Sequence, residues 1–364
     1  MEPESPPMTV SVSAPEDLVL RCLGPREYRA GLPAVERFLR DRGPLALSQH
    51  PGMLTVLEEG LGHEVYLLLA ERHGQVSGCL PLAHVRSLVF GRFLVGLPYV
   101  NTGGVVAGPG EAARRLIDAA VELANRLRVR YLELRHERPV EHPALIEANV
   151  NKVHMRLELP ATSEELWSRL HSKVRNQVRK GMKHELTVLW GGEDLLPEFY
   201  AVFSRNMRDL GTPVYGRSLF QSLLRVFGDR AELCVIRQRQ APLAAAVCLH
   251  GWGISEVPSA SSLREHNSTN ANMLLYWNLL ERAVCRGQAQ FDFGRSTVGS
   301  NTHRFKQQWG AREFPAVWQH HLRHGSSRAV RPDNPRYGML IRCWQRLPVW
   351  VTRLLGPPLI RGIP

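Results

Sequence analysis

Phe291-Asp292-Phe293-Gly294-Arg295-Ser296, followed closely by Arg304-Phe305-Lys306-Gln307-Gln308-Trp309-Gly310, is the stretch from which the rest of the chain can be read. Its first part alternates ring, acid, ring and then breaks at a glycine. Side chains alternate faces along a strand, so Phe291 and Phe293 are expected to enter a core while Asp292 points to the other side. Gly294 frees the backbone to turn. Lysine usage marks the second part. Only five of the 46 Lys+Arg are lysine (Lys152, Lys173, Lys180, Lys183 and Lys306), and Lys306 stands alone after residue 183. A compact ammonium with a movable pKa does what a guanidinium cannot.

Upstream of this stretch, Glu232–Ile236, a turn at 237–240 and Pro242–His250 read as a strand pair, with a third strand near Ile254. A polar loop, an amphipathic helix over Asn272–Arg286 and the strand ending at Phe293 complete the unit. The same order occurs earlier. Val65–Ala70 and Val76–Arg86 flank a turn, Leu88–Leu94 follows, then a loop containing Tyr99, Asn101, Gly103 and Gly104. A helix over Glu111–Arg128, apolar at 112, 116, 120, 123 and 127, delivers Tyr131-Leu132-Glu133. The spacing predicts an internal duplication of an α+β unit.

The 364 residues suffice for two domains, each with its own core. A net charge of +12 and a pI near 9.9 favour a polyanionic partner: nucleic acid, an anionic membrane surface or a phosphorylated substrate. Six scattered cysteines form no C-x-x-C pair, and Cys234, Cys248 and Cys285 read as buried thiols of a reducing compartment. The acidic, proline-rich N-terminus resembles no signal peptide. No apolar run is long enough to span a membrane. A cytoplasmic protein is expected, with residues 1–17 a flexible tail.

Two further segments carry charge patterns. Thr162-x-x-Glu165 is a capping box opening a helix to His184, with Leu166, Leu170, Val174 and Val178 on one face and six cations on the rest. Such a face suits an anion. From Tyr337 to Leu355, Arg342, Arg346 and Arg353 oppose Trp344, Leu347, Trp350, Val351 and Leu354. That is the composition of an interfacial membrane helix or of a helix packed on the body. Asp292-Phe293-Gly294 spells the kinase magnesium motif, but no glycine-rich loop or H-R-D precedes it. His320, His321 and His324 have no ligand partners in sequence, so no metal is expected.

Three motifs together, Lys173–Lys180, Asn272–Trp277 and the opening stretch, resemble the FemAB-like GNAT-fold acyltransferases, most of all those associated with exosortase/PEP-CTERM systems. The resemblance covers residues 20–325. It implies an α+β fold, a tandem duplication of a GNAT-like domain with a mixed sheet flanked by helices. The implied domains are residues 18–160 and 161–325, with a basic extension over 326–364. The implied activity is amide formation between an activated acyl donor, aminoacyl-tRNA or acyl-CoA, and an amine of a cell-envelope acceptor. That acceptor is lipid-linked at the inner membrane surface, a peptidoglycan precursor or an exopolysaccharide. No tightly bound cofactor is implied. Lys306 would stabilise an oxyanion or a donor phosphate, and Asp292 would orient or deprotonate the amine. Arg295, with Ser296, Arg304 and Trp309, would hold substrate. Arg175, Asn176, Arg179 and Lys180 would bind phosphates, and Tyr99 and Asn101 would line the acceptor side. The chemistry is expected in the second half. The alternatives are an acyl-CoA-dependent N-acetyltransferase, whose usual Q/R-x-x-G-x-G/A loop is not found here, and a non-catalytic basic RNA- or membrane-binding module on a GNAT scaffold.

Overall fold

The computed structural model describes residues 18–87, 90–108, 111–148, 151–323 and 337–363. The expected tail over residues 1–17, His324 and residues 326–336 of the expected extension lie outside the described residues. The first half runs β1 (Leu18–Leu23), α1 (Tyr28–Arg40), α2 (Met53–Leu61), β2 (Glu64–Arg72), β3 (Gln75–Ser87), β4 (Gly91–Val95), β5 (Val106–Ala107), α3 (Ala112–Arg126), β6 (Tyr131–His136), β7 (Ile146–Ala148) and β8 (Lys152–Glu158). Two short helices follow, α4 (Ser163–Arg169) and α5 (Ser172–Met182). The second half then runs β9 (Leu186–Gly191), α6 (Leu196–Leu210), α7 (Arg217–Phe227), β10 (Ala231–Gln238), β11 (Ala241–His250), β12 (Ile254–Ser262), α8 (Ala271–Cys285), β13 (Gln290–Thr297), α9 (Asn301–Gln307), β14 (Arg312–Pro315) and β15 (Val317–Leu322). The chain closes with α10 (Tyr337–Arg346) and α11 (Val349–Ile360).

The duplication is present and longer than the sequence reading suggests, because each copy opens with a strand and two helices. The two sheets have the orders β1-β2-β3-β4-β6-β15-β7 and β14-β8-β13-β12-β11-β10-β9, with β5 added to β3. Each copy holds one parallel pair of only three residues: Phe93–Val95 against Tyr131–Glu133, and Ile254–Glu256 against Gln290–Asp292. Both ladders end on a buried carboxylate, Glu133 or Asp292, although the strands run on.

Strand exchange ties the copies together. β8 leaves the first half to pair with β13 and β14, and β15 returns from the second to pair with β6 and β7. Two strands therefore cross the boundary expected near residue 160. A short half-polar strand carries no mark of which sheet it joins, since pairing is decided by distant partners.

Alternation along the strands fixes the layers. Leu67 and Leu69 of β2, with Leu233 and Val235 of β10, enter a shared core with α1, α2, α6 and α7. Leu68 and Ala70 face α3 instead. Cys234 and Ile236 join α4, α5 and α8 on the opposite side of the second sheet. The halves thus share one central core and each carries its own outer layer.

Three expectations are corrected. The cationic segment 162–184 is two helices, because Leu170 and His171 take extended ψ values of 141° and 142°. Thr162 does accept the Glu165 N–H at 3.2 Å, but the Glu165 carboxylate pairs with Arg169. Cys234 and Cys248 are buried whereas Cys285, the last residue of α8, is exposed. Arg353 does not share a solvent face with Arg342 and Arg346: it donates to Ser204 Oγ at 2.8 Å and lies over the Tyr200 ring.

Candidate functional site

β13 delivers the opening stretch to the boundary between the halves. Phe291 and Phe293 are buried on the α8 side with ring centroids 4.9 Å apart, as the alternation predicts. Asp292 points the other way and is buried as well, because that face of the sheet meets the first half rather than water. Gly294 has φ +78°, donates its N–H to Asp292 Oδ1 at 2.6 Å, and sits where pairing with β8 slips, so the strand bulges. A Cβ on Gly294 would lie 3.2 Å from Asn101 Nδ2, which measures how closely the first half's loop approaches.

Lys306 is aimed at this bulge. Ser300 caps α9 by accepting the His303 N–H at 3.2 Å, and Lys306 Nζ donates to the carbonyls of Gly294 and Arg295, both at 3.0 Å. Burial pulls the Lys306 pKa down to about 8, with Asp292 opposing the shift and Arg295 adding to it. An ammonium has three donors. Two are spent on carbonyls, and the third has no partner among the described residues.

Arg295 is the complementary feature. Its Nε and Nη1 are buried without an acceptor, and its guanidinium lies 4.1 Å from the Trp318 ring centroid. Arg135 approaches the same ring at 4.3 Å, but Arg135 is satisfied by Glu133 at 2.7 Å and by the Val100 carbonyl at 2.7 Å. Burial first, then the charge of Arg135, pull the Arg295 pKa down to about 10. A buried guanidinium with unpaired N–H groups calls for an anion. Ser296 Oγ is also buried and unpartnered, but on the opposite face of β13, since Ser296 pairs with Val153 and Arg295 with His154. Burial pushes Tyr215 up to about 12, with Arg135 and Arg295 opposing.

The first-half loop supplies Tyr99, held at φ +69°. Its hydroxyl donates to the Arg361 carbonyl at 2.7 Å and lies 2.9 Å from His63 Nε2, and its ring meets Tyr215 edge-on at 5.5 Å. Tyr99, Asn101, Arg295, Asp292 and Lys306 therefore converge, while Ser296 lies on the other face of β13. The other expected residues do not. Arg304 is exposed and donates to the Gly299 carbonyl at 3.0 Å. Trp309 is packed in the α8 core beside Tyr276 and Phe305. Asn176, Arg179 and Lys180 are exposed on α5, Arg175 is half-buried there, and α5 packs on α8 rather than on the bulge. Lysine and arginine content alone could not separate these sites.

Three residues of the cluster carry no local signal. Arg156 of β8 donates to Asp292 Oδ2 at 2.9 Å and holds Glu137 through its other nitrogens. His154, two residues earlier, is buried with both ring nitrogens unpartnered, and burial lowers its pKa. Glu256 sits opposite Asp292 in the parallel ladder and accepts from Ser48 N–H at 2.6 Å and Ser48 Oγ at 2.8 Å. Asp292 lies 136 positions from Arg156, and Ser48 208 positions from Glu256. Among the described residues no group of three or more His, Cys, Asp or Glu is arranged to hold a metal ion.

Glu256 gives a pH prediction. Burial pushes its carboxyl up to about 7, with Asp292 adding and Ser48 opposing. A folded-state pKa above the usual carboxylate value of about 4.3 means that its contribution to stability is complete below that value and is lost as pH rises through about 7. Glu256→Gln should remove this loss, so urea unfolding is expected to favour the variant more at pH 8 than at pH 5. Parallel stability curves would remove Glu256 from the set of titrating buried groups.

Residues 168–314 match the family model described as an acetyltransferase (GNAT) domain. No curated protein matches the sequence. Among solved structures, the chain is similar to one described as FemX, with 14% identity over 85% of this chain and 98% of that one and a TM-score of 0.62. It is also similar to a tandem GNAT protein from the clavulanic acid biosynthesis pathway, solved without acetyl-CoA, with 13% identity over 85% of this chain and 100% of that one and a TM-score of 0.53. These likenesses show a tandem GNAT fold, whose second copy contains the stretch that matches the GNAT family model.

Proposed function

We propose that the chain forms an amide by transferring an acyl or aminoacyl group from an activated ester or thioester to an amine of a cell-envelope acceptor, a peptidoglycan precursor or an exopolysaccharide. The observation that carries this is Lys306, buried, fixed by two carbonyls at the bulge and left with one free N–H beside the unpaired guanidinium of Arg295. Aminolysis requires an amine placed against a carbonyl and a donor for the oxyanion that forms. Lys306 offers that donor, and Arg295 seats an anionic group of the substrate. Both Asp292 oxygens are engaged, by Gly294 N–H and Arg156 Nε. We assign Asp292 to holding the bulge and orienting the amine. Tyr99 and Asn101 line the acceptor side. The exposed cations of α5 lie at the start of α8, where a Cβ on Gly181 would meet the Asn270 carbonyl at 3.2 Å, and would take donor phosphates together with the positive helix end. The reaction uses no resident cofactor. A cytoplasmic site at the inner membrane face and an association with exosortase/PEP-CTERM systems belong to the same proposal.

The matched GNAT domain supports a second reading, in which the donor is an acyl-CoA and the product an N-acetyl amide. Thermal shift separates the two. An acyl-CoA donor should raise the Tm saturably, whereas charged tRNA should do so if the donor is aminoacyl-tRNA. Arg295→Ala is expected to raise KM for the anionic substrate by roughly tenfold or more with kcat less affected, and Arg295→Lys to restore only part. Unchanged KM in both variants would end the anion-seat assignment.

A further inference from the structure

α10 and α11 lie against α6. Gln345 Nε2 donates to the Asp209 carbonyl at 3.1 Å, Arg208 Nη1 to the Leu347 carbonyl at 3.1 Å, and Arg353 to Ser204 Oγ at 2.8 Å. Thr352, Gly356 and Ile360 are the buried side of α11. The remaining surface is apolar and open: Met339 is 67% exposed, Leu340 63%, Trp350 69% and Leu354 68%. Single exposed apolar residues are ordinary, but a cluster of this size on two adjoining helices marks an interaction surface. Arg342, Arg346 and Arg361 of the same segment are exposed as well, and residues 337–363 contain four arginines and no Asp or Glu.

We propose that this face docks on an anionic lipid bilayer surface. The charge decides the occupant. A two-fold contact with a second copy would set the same patch against itself, bringing unpaired arginines together with no acid in the segment to offset them. An anionic leaflet complements those arginines and takes up the tryptophan and leucines at the headgroup boundary. Helices of 10 and 12 residues lie along such a surface, and among the described residues no helix is long and apolar enough to cross it. The docking segment also reaches the candidate site, because the Arg361 carbonyl accepts the Tyr99 hydroxyl at 2.7 Å. A membrane-borne acceptor would therefore meet the Tyr99–Asn101 loop from the lipid side; that consequence rests on the proposed function, while the docking face does not.

The test is co-sedimentation of the full chain with vesicles of phosphatidylcholine alone and with phosphatidylglycerol added, at several salt concentrations. Binding is expected with phosphatidylglycerol, weakening as salt rises. It should fall by about tenfold or more in Trp350→Ser/Leu354→Ser and in Arg342→Gln/Arg346→Gln, with Tm unchanged because all four side chains are exposed. Absence of binding, or binding that neither variant reduces, overturns the proposal. So does a dimer in light scattering that the same variants dissociate, since it gives the face to a second copy. Vesicle binding needs no catalysis, so its failure leaves the transferase reading standing, and an inactive chain that binds vesicles leaves the docking face standing.

Discussion

Lys306→Ala is expected to lower kcat/KM for amide formation by roughly 10²–10³, the loss that follows removal of one oxyanion donor. The side chain is buried in a pocket of carbonyls, so neither water nor a neighbouring cation replaces it. If the ammonium is the working form, wild-type kcat/KM should decline as pH rises through about 8, the value to which burial has pulled this lysine. Lys306→Arg keeps a charge throughout that range but not the compact geometry. It is expected to be slow and to lose the decline near pH 8. Full turnover by Lys306→Ala on the true substrate pair would remove the residue from the mechanism and favour a non-catalytic binding module. A decline that persists unchanged in Lys306→Arg would assign the titration elsewhere.

Arg156→Ala is expected to cause the largest loss of stability, about 3–5 kcal/mol, because breaking a buried ion pair strands its partners. Arg156 is the only described cation bonded to Asp292, and it also holds Glu137, joining the second sheet to the first half. It keeps the Glu137 carboxyl below the usual range against the opposing effect of burial. A carboxylate with a lowered folded pKa contributes stability above its unfolded value and loses it as pH falls. The gap between wild type and variant should therefore be widest near neutrality and close below about pH 4. Urea unfolding with an unchanged m-value would read this directly. A loss under about 1 kcal/mol, the range of exposed pairs, would mean that the cluster does not join the halves. Arg156→Lys is expected to recover part of the loss, since an ammonium cannot bridge two carboxylates as a planar fork does.

The sequence carried the local features. The ring-acid-ring alternation put Phe291 and Phe293 on one face of β13 and Asp292 on the other, and Gly294 is a turn point. The repeated order of strands and helices gave the duplication and the equivalence of β6 and β13. The isolation of Lys306 in an arginine-rich chain picked out the one lysine that is buried at the bulge. Periodicity and residue type suffice for such features, because each is written within a few residues of chain. Periodicity did not reveal α2, α6 or α7, whose faces become legible only against the shared core they fill.

Tertiary structure decided what lies across the chain. Strand exchange sends β8 and β15 into each other's sheets, and this alone brings Arg156 to Asp292 and Trp318 to Arg295. Glu256 acquires its shifted carboxyl from burial with Ser48, a residue 208 positions away. Arg135, from the first half, faces the same tryptophan. Close to Lys306 in sequence, Arg304 falls on the solvent side of α9 and Trp309, two residues past the helix end, turns into the core. Neighbours in sequence share an element but not a face, and a site is built from faces. The sequence thus determined which strand carries the candidate site; the pairing of distant strands, set by burial and register, decided which side chains stand around it.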